Sequence, residues 1–79
     1  NLYPNPSKAN TNLYLALKSS ANLGLSIFDA IGQLVWNAQY ENFNKGLISL
    51  PTINLSEGTY FLKISSARKH RILPLILID

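Results

Sequence analysis

Apolar and polar positions alternate with a period of two along most of this chain. In residues 12–18, Leu13, Leu15 and Leu17 fall on one side, and Tyr14, Ala16 and Lys18 on the other. In residues 23–29, Leu23, Leu25 and Ile27 share a side, opposite Gly24, Ser26 and Phe28. Residues 33–40 place Leu34, Trp36, Ala38 and Tyr40 together, and residues 46–50 do the same for Ile48 and Leu50. Residues 59–65 set Tyr60, Leu62 and Ile64 against Thr59, Phe61, Lys63 and Ser65. Successive side chains of a strand point to opposite faces of its sheet, so each run is expected to be a half-buried β-strand. No stretch carries the 3.6-residue period of an amphipathic helix.

The breaks between the runs have turn chemistry. Asp29-Ala30-Ile31-Gly32 is the clearest. An Asp at the start of a turn accepts hydrogen bonds from backbone N–H groups just beyond it. A Gly at the fourth position takes the positive φ that a type I turn followed by a bulge requires. This predicts a hairpin between residues 23–29 and 33–40. Ser56-Glu57-Gly58 predicts a tight turn into the strand at Thr59, residues 65–69 a polar hairpin loop, and residues 42–45 a looser connection. Six or seven short strands at such spacing predict an all-β fold, an antiparallel β-sandwich. One open sheet would leave too many apolar side chains in water, whereas two facing sheets bury them.

The last run breaks the rule. Ile72, Leu73, Leu75, Ile76, Leu77 and Ile78 are apolar on both faces, and Pro74 interrupts them. A proline cannot donate to the ladder, so it belongs at a sheet edge or a bulge. Edge strands are usually blunted with charge, and an apolar one invites a partner. At the other end, Tyr3-Pro4-Asn5-Pro6 is held extended, because a residue before proline is pushed out of the helical region. It belongs at a sheet rim, anchored by Leu2 and Tyr3.

Composition narrows the function classes. The chain has 79 residues, enough for one domain, and 47% are hydrophobic, enough for one core. There is no cysteine, so neither disulfides nor thiolate chemistry contribute. The net charge of +3 is spread over Lys8, Lys18, Lys45 and Lys63, with one cluster at Arg68, Lys69, His70 and Arg71. That scatter does not make the basic face of a nucleic-acid binder. No run is long enough for a membrane helix, and no secretory leader is visible at Asn1. The chain lacks an initiator Met and is expected to be a piece of a longer protein.

Catalytic chemistry finds no foothold. The lone histidine, His70, lies among cations that repel a metal ion, and no cysteine could join it. The acids are Asp29, Glu41, Glu57 and Asp79, and turn formation accounts for Asp29 and Glu57. No Gly-x-Ser-x-Gly elbow or Gly-rich phosphate loop occurs. We therefore expect no enzyme, no cofactor and no metal. Trp36, Tyr14 and Tyr40 leave open a carbohydrate-binding or adhesive sandwich, because exposed rings in a row on a sheet stack on sugars. A structural spacer beside a catalytic domain is the other alternative.

Three ordered segments carry a resemblance. They are Leu2-Tyr3-Pro4-Asn5-Pro6-Ser7, then Leu25-Ser26-Ile27-Phe28-Asp29-Ala30-Ile31-Gly32-Gln33-Leu34-Val35, then Asn54-Leu55-Ser56-Glu57-Gly58-Thr59-Tyr60-Phe61-Leu62-Lys63-Ile64, followed by the closing apolar strand. Together they resemble the C-terminal sorting domain (type A) of the type IX (Por) secretion system of Bacteroidetes, over essentially the whole chain, residues 1–79. The resemblance implies an Ig-like β-sandwich that is not a catalyst. It implies an N-terminal passenger domain, recognition by outer-membrane secretion machinery, and removal by a surface sortase-type peptidase. The expected route runs through the periplasm to the cell surface or the medium. By position, Tyr3, Pro4, Asn5, Pro6, Asp29, Gly32, Gly58, Tyr60 and Phe61 match the family's motifs. The family's recognition element lies toward the C-terminus, which assigns Ile72, Leu73, Pro74, Leu75, Ile76, Leu77 and Ile78 to the secretion machinery. Here the basic group precedes that strand, and Asp79 ends it, where family members often finish basic.

Overall fold

A computed structural model describes residues 10–67 and 69–78. They form four antiparallel strands: β1 (Thr11–Asp29), β2 (Leu34–Leu50), β3 (Gly58–Ser66) and β4 (Lys69–Leu77). A short 3-10 turn, Thr52–Asn54, joins β2 to β3. The strands make one sheet in the order β2-β1-β3-β4. The all-β expectation holds.

The expected count of six to seven strands does not, because two pairs of runs are fused. Residues 12–18 and 23–29 both lie in β1, and residues 33–40 and 46–50 both lie in β2. The intervals between them are not loops: β1 and β2 stay paired on both sides of a bulged corner. Residues 17–20 of β1 are bracketed by the pairs Ala16↔Lys45 and Ala21↔Phe43, so they face only Asn44. One step on, Asn22 faces Glu41 and Asn42 between Ala21↔Phe43 and Leu23↔Tyr40. Bulges of this kind bend a strand and increase its twist. Side chains stitch the corner. The Asn42 N–H donates to Asn22 Oδ1 at 3.2 Å, and Asn44 Nδ2 donates to the Leu17 carbonyl at 3.4 Å. Asn42 has φ 54°, a left-handed conformation that Asn tolerates better than most residues.

The bend is required by size. Drawn straight, a strand as long as β1 would span about 60 Å, yet the longest extent of the molecule is 44 Å. Curling covers the inner face within one sheet, while large apolar residues elsewhere, among them Tyr14, Leu47, Ile72 and Ile76, stay exposed. Ile48 and Leu50, from the far half of the hairpin, join Leu23, Leu25, Ile27, Tyr60 and Leu62 in one buried cluster. Leu13, Leu15, Trp36, Tyr40, Phe43, Ile64, Leu75 and Leu77 pack around it. The alternation read from the sequence therefore chose the inner face correctly except at Leu34, which pairs with Phe28 beyond a register shift and is 52% exposed. The Thr11 and Thr52 hydroxyls, 2.9 Å apart, close the base of the long hairpin.

Candidate functional site

The β1–β2 turn forms as its residues predict. The Gly32 N–H donates to the Asp29 carbonyl at 3.0 Å, and the Asp29 N–H to the Gln33 carbonyl at 2.9 Å. The Asp29 carboxylate oxygen Oδ1 accepts from the Ile31 N–H at 3.1 Å and the Gln33 N–H at 2.8 Å. Gly32 has φ +91°, where a Cβ would be strained. Gly58 opens β3, and Tyr60 is buried in the core while its hydroxyl donates to the Ser56 carbonyl at 2.7 Å. These motif residues build turns and core. Tyr3, Pro4, Asn5 and Pro6 lie outside the described residues, as do Arg68 and Asp79.

The β3–β4 hairpin carries the remaining residues of interest. Its register runs without a shift from Ser66↔Lys69 to Gly58↔Leu77. Pro74 pairs with Phe61 inside that ladder, so it sits at a sheet edge, as expected, and without a bulge. The two-sided apolar strand resolves into two faces of different burial. Leu73, Leu75 and Leu77 are half-buried, and Leu75 and Leu77 pack against the core. Ile72, Pro74 and Ile76 alternate with them on the outer face, where Ile72 is 65% exposed and Ile76 67%, and Ile78 beyond the strand is 79% exposed.

Neighbouring strands extend this outer face. Phe61 pairs with Phe28 of β1 on one side and Pro74 on the other, making a cross-strand apolar row. Phe61 is 38% exposed. Lys63 pairs with Ile72, and Thr59 with Ile76. Lys63 and Phe28 escaped the sequence reading as contributors to this surface. The signal was available: both fall on the non-core side of the period-two alternation.

The aromatic row needed for sugar stacking does not form. Trp36 and Tyr40 pack against the core, the Tyr40 and Phe43 rings meeting edge to face with centroids 6.2 Å apart. Tyr14 is exposed on the opposite face. His70 is exposed and pairs with Ser65 at the β3–β4 turn. Among the described residues no three His, Cys, Asp or Glu side chains gather where they could hold a metal ion, and no helix is long and apolar enough to cross a membrane.

What the geometry defines is an all-β module with an exposed apolar sheet face beside an edge strand. The family model for the secretion system C-terminal sorting domain matches residues 1–78, and the chain belongs to that family. It is a sorting signal of the type IX system, a role of recognition and not of catalysis. No curated protein and no solved structure matches the chain.

Proposed function

We propose that residues 72–78 are the part of this sorting domain that the outer-membrane secretion machinery recognises, and that they carry an N-terminal passenger to the cell surface or the medium. The observation that supports this most is the outer face of β4. Isoleucines at positions 72 and 76 stay largely in water beside Phe61, and contiguous exposed apolar patches mark interaction sites. The match to a sorting-domain family supplies the partner.

The reading extends to the expectations that come with the family. The passenger crosses the periplasm before the outer membrane, and a sortase-type peptidase removes the domain afterwards. The source is a member of the Bacteroidetes. An Ig-like, two-layered arrangement is supported by the corner in β1 and β2, which lays Ile48 and Leu50 onto the core of the other half.

The test is a reporter protein fused ahead of residues 1–79 in a host with a type IX system. The fusion is expected outside the cell, and a version ending at Ile72 is expected to stay inside. Equal export of both would remove the terminal strand from the recognition site.

A further inference from the structure

We infer that β4 is read through its outer side-chain face and not by adding a strand to its edge, and that the receiving surface is a protein of the export machinery with an apolar centre and a carboxylate-bearing rim. This rests on the sorting role proposed above.

The hairpin register decides against strand addition. Ser66↔Lys69 flanks the β3–β4 turn, and the pair beside a two-residue hairpin turn exchanges both of its backbone hydrogen bonds. Such pairs alternate along an antiparallel ladder. Ile64↔Arg71, Leu62↔Leu73, Tyr60↔Leu75 and Gly58↔Leu77 are therefore the bonded ones. Leu73, Leu75 and Leu77 direct their N–H and C=O groups at β3. The backbone groups of Ile72, Pro74 and Ile76 point to the open edge. Pro74 has no N–H, and it lies midway between the two isoleucines. A strand added there would meet a missing donor and a ring at its centre. The unbroken register shows that Pro74 costs the β3–β4 ladder nothing, because its nitrogen faces outward.

The same residues are well placed to bind by their side chains. Ile72 and Ile76 flank Pro74 on the outer face, and Phe61 extends the surface onto β3. Charge gives the surface a direction. Among the described residues, Lys63 lies on this outer face toward the β3–β4 turn, paired with Ile72, whereas Lys69 and Arg71 alternate onto the Leu73 side near the same turn, and Lys18 and Lys45 lie in and beside the corner beyond it with Glu41. Asp29 and Glu57 lie at the opposite end. An acidic rim on the partner would meet the turn end and orient the approach, since rim charges set orientation and association rate more than affinity.

The experiment uses the reporter fusion with single substitutions, each checked for folding by circular dichroism of the purified 79-residue chain. Ile76→Asp puts charge on the outer face and keeps the edge N–H. Ile76→Pro removes that N–H and keeps an apolar side chain. Face docking predicts that Ile76→Asp lowers export at least tenfold and that Ile76→Pro stays within about twofold of the parent, with Lys63→Glu several-fold down. Should Ile76→Pro misfold, Ile72→Pro makes the same comparison. Loss of export with the proline variant, or full export with Ile76→Asp, overturns the face-docking inference. Failure of the version ending at Ile72 to lose export overturns the sorting site itself. If Ile76→Asp leaves export intact and only abolishes self-association of the purified chain, the occupant is a second copy and the inference falls.

Discussion

The second half of β1 and the whole of β4 are built from similar residues and meet opposite fates. Leu23, Leu25 and Ile27 are at most 1% exposed, in a strand paired on both sides. Ile72 and Ile76 are as apolar, yet about two-thirds of each remains in water, in a strand paired on one side. Sheet order makes the difference. β1 is central, and the far half of its own hairpin curls over its inner face. β4 is at the edge, with its leucines turned inward and its isoleucines left outside. Hydrophobicity alone does not bury a residue: a second layer must be present on that face. The turns differ in the same direction. The β1–β2 turn is held by the Asp29 carboxylate and a glycine of positive φ, whereas the β3–β4 turn holds Ala67 at φ 50°.

The contrast can be broken from its buried side. Ile27→Ala removes a fully buried side chain and is expected to cost about 3–4 kcal/mol, read as a lower urea midpoint by circular dichroism. For a domain of this size that is a large share of a total of roughly 4–12 kcal/mol. Asp29→Ala deprives two turn N–H groups of their acceptor and is expected to cost about 1–2 kcal/mol in the same measurement. An unchanged midpoint would mean that Gly32 alone holds the turn. The edge side sharpens it. Ala67→Gly relieves the left-handed conformation and is expected to stabilise by up to about 1 kcal/mol, seen as a small rise in melting temperature. Ile76→Thr, on the outer face, is expected to change stability by no more than about 0.5 kcal/mol. A larger loss would show that the outer isoleucines are structural, and would undercut their assignment to a partner.

Much of this was legible in the residues. The Asp29-Ala30-Ile31-Gly32 turn could be read down to its bulge, because its chemistry is local: a short acceptor and a residue free to take positive φ. The inner set Leu23, Leu25, Ile27, Ile48, Leu50, Tyr60 and Leu62 was also legible, because strand geometry imposes the period of two. Pro74 narrowed β4 to a sheet edge or a bulge, because a missing donor has few places to go, and the structure has it at the edge. The breaks around residues 19–22 and 41–45 were not legible. Polar residues there look like loop, and only the pairing across the corner shows that the ladder resumes and the hairpin bends. Nothing in the period of Leu13 and Ile48 said that they would serve the same core as Ile27.

The sequence by itself determined the extended runs, most of their inward faces and the sharp turn at residues 29–32, since all of these follow from nearest-neighbour chemistry. Tertiary structure alone decided that two of the strands run on through a bulged corner, that Ile48 and Leu50 come to lie on Leu23, Leu25 and Ile27, and that Ile72 and Ile76 stay in water. Those outcomes depend on which strand lies beside which and on what covers each face, and such long-range pairings leave no mark on local patterning.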